Sequence, residues 1–95
     1  VQIDVTFRHM HPSDPLRTYV AHRAERLRGL LEPLLGARVI LSLDGFENVA
    51  DVTVEAGGLT HSARETSNAD IYAAVDLAID KLAAQLRGSE GPRPS

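Results

Sequence analysis

At 95 residues the chain is long enough for one small domain with a thin core and too short for two. It contains no cysteine, which excludes disulfides and thiolate metal sites and fits a reducing compartment. Its net charge of −3 argues mildly against a strong nucleic-acid binder, although local charge can override that sum, and no apolar run approaches the roughly 20 residues of a membrane span.

Val1 to Arg8 alternates apolar and polar residues, which predicts a strand with one buried face. The alternation starts at once, so no secretory signal peptide is visible and the expected location is cytoplasmic. After a connection at His9 to Pro12, Ser13 is a good N-cap, and Pro15 is tolerated in the first turn of a helix. Leu16, Tyr19, Val20, Ala24, Leu27 and Leu31 keep helical spacing, and Gly29 and Pro33 predict its close near Leu31. Ala37 to Asp44 alternates again, with Val39, Leu41 and Leu43 on one face and a turn beginning at Asp44-Gly45. Ala50, Val52, Val54 and Ala56 mark a third strand, Gly57-Gly58 a hairpin turn, and Leu59 to Thr66 a weaker fourth strand.

Ser67 to Arg87 reads as one amphipathic helix, with Ile71, Val75, Ala78, Ile79, Leu82 and Leu86 on one face. Ser67 or Asn68 can cap it, Asp70 suits the positive end of its dipole, and Gly88 ends it. Residues 88–95 read as a flexible tail or the start of a linker, which leaves 1–87 as the domain. The order β-α-β-β-β-α predicts an α+β fold: a four-stranded sheet with both helices packed on one face. The first crossover makes strands one and two parallel if adjacent, and the rest is a meander. Gln2, Asp4, Thr6, Asp51, Thr53 and Glu55 should then meet water on the opposite face.

No enzyme motif emerges. His9 and His11 could point the same way from an extended segment, but two ligands do not define a metal site, so they read as solvated loop residues. Ser13-Asp14 and His61-Ser62 read as a helix cap and an edge-strand pair, because nothing orients a base. Asp76 and Asp80 share a helix face at i,i+4 and read as hydrated carboxylates. No cofactor or metal is expected.

The cations are more informative. Arg17 and Arg28 flank one side of the first helix's apolar stripe, and His22 and Arg26 flank the other. Arg23 falls inside the apolar arc, so its stem must be buried and its head must emerge at an edge, in the groove between the helices. Lys81 borders the apolar face of the second helix, which also places its head near where the helices meet; Arg87 lies across that face near Asp76 and Asp80. Such a pattern fits a solvated charged surface. It also fits a phosphate-binding surface of two side-by-side helices, since arginine forks match phosphate oxygens.

The S-D-P-L-R-x-Y-V start of the first helix, the R-V-I-L-S-L and A-D-V-T-V strands, and above all D-I-Y-A-A-V-D-x-A-I-D-K-L-x-x-Q-L resemble the ribosome hibernation-promoting factors. That family is also called ribosome-associated inhibitor, ribosomal subunit interface protein or sigma-54 modulation protein. The resemblance covers nearly all of residues 1–87 and implies the same order of elements. It implies binding to the small ribosomal subunit and its rRNA, in the channel of messenger and transfer RNA, so that translation is inhibited in stress or stationary phase. It places RNA-facing cations at Arg23, Arg26 and Lys81, with Arg87 and His22 as further candidates. Ala84 stands where members carry an arginine, and Gly88, Ser89 and Glu90 stand where lysines usually lie. The alternative is a protein-interaction or regulatory domain of the same fold with weak or no RNA binding. Long members carry a C-terminal domain that pairs ribosomes, to which the tail would be the linker.

Overall fold

The computed structural model describes residues 2–30 and 34–88, with the backbone alone at 34, 35 and 88. Its elements are β1 (Gln2–Arg8), α1 (Asp14–Arg28), β2 (Leu34–Asp44), β3 (Glu47–Ala56), β4 (Leu59–Ser67) and α2 (Ile71–Gly88). The strands form one four-stranded sheet in the order β1-β2-β3-β4, parallel between β1 and β2 and antiparallel elsewhere. This is the expected α+β arrangement, with α1 lying over β1 and β2 and α2 over β3 and β4.

The register explains the core. Val5, Val39, Val52 and Ala63 lie side by side across the four strands. Of the helix-facing residues on either side of this row, Leu41, Ala50 and Val54 on the two central strands are fully buried. One row along, Thr6, Ile40, Asp51 and Arg64 are aligned on the outer face, as the period of two requires. From the helices come Leu16, Val20, Ala24 and Leu27 of α1 and Ile71, Val75, Ala78, Ile79, Leu82 and Leu86 of α2. The β1 face is only half-buried, because β1 is an edge strand: Ile3, Val5 and Phe7 pack against the core without being enclosed.

Local chemistry sets the boundaries. Ser13 is extended at φ −137° and its hydroxyl accepts from the Leu16 N–H at 3.2 Å, so it caps α1. At Gly57 and Gly58, φ is +59° and +79°; two successive left-handed residues are what a type I′ hairpin needs, and a Cβ at either would be strained.

Three expected boundaries shift. α1 stops at Arg28, not near Leu31, because Gly29 caps it and the Leu30 N–H turns back to the Leu27 carbonyl at 3.0 Å; Leu31 and Pro33 lie outside the described residues. β2 starts three residues before Ala37, since Leu34 pairs with Ala56 across an irregularity between Leu34 and Gly36 that breaks the alternation. α2 starts at Ile71 rather than Ser67. Ser67 still pairs with Asn48 as the last residue of β4, and Asp70 is the cap, its carboxylate accepting from the Ala73 N–H at 2.8 Å. The Ser67 hydroxyl instead holds the Ala69 N–H at 3.0 Å in the connecting turn. The tail expected over 88–95 lies, beyond residue 88, outside the described residues.

Candidate nucleic-acid interface

The two helices run side by side in the same direction, since the contacts between them advance together along both. Tyr19 and Arg23 meet Asp76, and Arg23 and Arg26 meet Asp80. The Arg23 Nε lies 2.9 Å from Asp76 Oδ1, and one terminal nitrogen lies 3.7 Å from Asp80 Oδ1. Arg26 pairs with the same Asp80 oxygen. The Arg23 stem is packed into the arc between Tyr19 and Leu27, which leaves its side chain 31 % exposed; this is the expected buried stem with its head in the inter-helix groove. Its Nε is buried, yet its N–H is not aimed at the Asp76 oxygen, so this contact is an ion pair without a hydrogen bond.

The aligned bond to Asp76 comes from elsewhere. The Tyr19 hydroxyl donates to Asp76 Oδ1 at 2.6 Å, and the Tyr19 ring stands edge-on to Tyr72 with centroids 4.9 Å apart at 76°. Asp76 and Asp80 are therefore not merely hydrated: they turn toward α1 and are the acidic side of an ion-pair ladder. Neither residue type nor spacing within one helix reveals this. The signal is a pair of acids at i,i+4 on one helix and a pair of arginines at i,i+3 on another, and it becomes legible only when the register of the two helices is known.

Donation to a carboxylate, followed in weight by burial and by the field of Asp76, raises the Tyr19 hydroxyl above its ordinary value near 10. A group raised on folding contributes stability that is complete below the unfolded value and is lost as pH passes the folded one. Tyr19→Phe should therefore lower stability at neutral pH and show a smaller further loss than the parent between about pH 9 and pH 11, read by denaturant unfolding at each pH. Equal losses in the two proteins would show that the hydroxyl is not linked to folding.

The candidate cations do not form one cluster. Arg23 and Arg26 share the seam. His22 is exposed beside them, one turn before Arg26 on α1. Lys81 lies on the other flank of α2, paired with Glu65 of β4 at 3.0 Å, and not where the helices meet. The reason is angular: five residues after Asp76 is about 140° further round the helix. Arg87 is exposed in the last turn of α2, and no ion pair among the described residues joins it to Asp76 or Asp80. Arg17 lies over the Phe7 ring at 5.1 Å and pairs with Asp14, which keeps it on the β1 side of α1, and Arg28 pairs with Glu25 of the same helix.

The outer sheet face carries Arg8, Arg38 and Arg64 among Asp4, Asp44, Glu47, Asp51 and Glu55, so acids outnumber bases there. Two cavities on this face, of about 170 and 260 Å³, are lined by both signs of charge. His9 sits at φ +59°, so the segment through His11 is not extended and the two imidazoles lose the common direction that an extended chain would impose. Among the described residues no group of three His, Asp or Glu side chains is placed to hold a metal ion.

Residues 3–90 match the model of the Sigma 54 modulation protein / S30EA ribosomal protein family. The chain belongs to that family. It is a family of ribosomal and regulatory proteins, not of enzymes. A ribosome hibernation promoting factor of Salmonella typhimurium is 31% identical over 87 residues, covering 90% of this chain and 90% of that protein. The N-terminal domain of Protein Y from Thermus thermophilus superposes with a TM-score of 0.81 at 30% identity, over 92% of this chain and 96% of that one. A ribosomal subunit interface protein from Coxiella burnetii shares the fold with a TM-score of 0.86 at 24% identity, over 95% and 98% of the two chains. No helix among the described residues is long and apolar enough to cross a membrane.

Proposed function

We propose that this protein is a ribosome hibernation factor. It binds the small ribosomal subunit through rRNA phosphates, occupies the channel of messenger and transfer RNA, and holds translation off in stress or stationary phase. The observation that carries this reading is the family match over residues 3–90, extended by 31% identity to a ribosome hibernation promoting factor along nearly the whole chain. The helical side of the molecule supports it, because its cations outnumber those of the outer sheet face. Arg23 and Arg26 take phosphates at the seam, with His22 and Arg87 beside them, and Lys81 contributes from the other flank of α2. Residues 1–87 are the ribosome-binding unit, and 88–95 are a tail or the start of a linker. The working location is the cytoplasm, where the ribosomes are.

Sedimentation with purified small ribosomal subunits tests this. The protein should travel with the subunits at about 50 mM salt and be released as salt rises, because each neutralised phosphate releases counterions. A cell-free translation reaction should be inhibited over the same protein concentrations. Folded protein that stays in the supernatant at every salt concentration would overturn the reading in favour of a protein-interaction domain of the same fold.

A further inference from the structure

The arginines best placed for RNA are already neutralised within the molecule. Arg23 and Arg26 contribute two positive charges to the seam, and Asp76 and Asp80 contribute two negative ones. The seam is thus close to neutral, and a distant polyanion feels little attraction toward it. The guanidiniums are accessible: the Arg26 side chain is 45 % exposed and Arg23 31 %, so phosphate oxygens can reach them, at Arg23 past its buried Nε.

The geometry points to Asp76 and Asp80 as specificity-determining residues, which compete with RNA for Arg23 and Arg26 and so reject any RNA that does not present phosphates to both at once. This rests on the RNA-binding reading above. Exchanging one carboxylate for one phosphate on a guanidinium yields only a small net gain, since both are charge-assisted hydrogen bonds to an anion. A flexible strand must also lose conformational freedom to make the exchange twice, and that ordering consumes the gain. A folded RNA, whose phosphates are already fixed in space, is spared this cost. The carboxylates therefore act as a built-in competitor, and discrimination comes from what they exclude. Asp76 is the more firmly held of the two, because the Tyr19 hydroxyl bonds the same oxygen that Arg23 faces. Asp80 has only the two arginines among the described residues.

The test uses the full chain, its Asp80→Asn and Asp76→Asn/Asp80→Asn variants, and Glu47→Gln as a control with an equal charge change per site on the outer face of the sheet, away from the helices. Asparagine keeps an acceptor for the Tyr19 hydroxyl, and a thermal melt confirms folding. Two ligands are titrated across a salt series: labelled poly-uridylate, a flexible strand, and purified small ribosomal subunits. The double variant should bind poly-uridylate on the order of tenfold more tightly, with a salt slope steeper by about 0.7 for each guanidinium freed. Its affinity for subunits should rise by less, so the preference for subunits falls; Glu47→Gln should change neither by more than about twofold. A folded double variant whose poly-uridylate affinity is unchanged, lower, or raised no more than by Glu47→Gln overturns the proposal, as does a gain that is equal for both ligands. If the parent binds no subunits at all, the hibernation reading falls, while the poly-uridylate titration still decides whether the carboxylates compete.

Discussion

Arg23→Met/Arg26→Met is expected to bind small ribosomal subunits about thirtyfold more weakly than the parent, with a flatter salt dependence. Hydrogen bonds to charged groups contribute roughly 1.5–3 kcal/mol each, but the parent must first release Asp76 and Asp80, so a net of about 1 kcal/mol per arginine is the realistic figure. The salt slope should fall by about 0.7 to 0.9 per lost phosphate contact. Methionine is chosen because the Arg23 stem packs in the apolar arc of α1, where alanine would also open a void. The two aspartates left behind are at least a third exposed and can hydrate, so the fold should persist. Part of the loss will come from their unneutralised charge. Adding Asp76→Asn/Asp80→Asn to the double variant separates that repulsion from the missing contacts. Lys81→Ala should add independently, because Lys81 pairs with Glu65 on the far flank of α2 and shares no partner with the seam. A folded double variant that binds subunits like the parent across the salt series would remove Arg23 and Arg26 from the interface.

Leu82→Ala is expected to cost about 3 kcal/mol, the largest single loss of stability proposed for this chain. Leu82 is fully buried on the face of α2 that lies over β3 and β4. Truncation removes the transfer energy of its methyl groups and leaves a cavity that the sheet beneath cannot collapse to fill. A domain of this size has roughly 5 to 15 kcal/mol in total, so the midpoint of thermal unfolding should fall by about 15 °C. Leu77→Ala is the control: Leu77 is 47 % exposed on the outer face of the same helix, and its loss should stay within about 0.5 kcal/mol. Similar melting temperatures for the two variants would contradict the burial of Leu82.

The elements and their order are legible residue by residue, because period is a local property. Alternation at Gln2–Arg8 and at Glu47–Ala56, helical spacing from Leu16 to Leu27 and from Ile71 to Leu86, and the paired glycines at 57 and 58 each encode one element within a few residues. Boundaries were less legible where a tertiary partner overrides the local signal: Ser67 could cap a helix, but it is claimed by its pairing with Asn48, and Asp70 takes the cap. The candidate interface divides in the same way. The wheel of α1 is enough to place the Arg23 head at an edge, because stem burial follows from one helix alone. Whether Lys81 shares that edge depends on which flank of α2 meets α1, and the sheet order decides it by setting α2 over β3 and β4 and leaving Lys81 beside Glu65. The partnership of Arg23 and Arg26 with Asp76 and Asp80 spans more than fifty residues of chain. It exists because the intervening hairpins bring α2 alongside α1 in one register, and no local pattern carries that information.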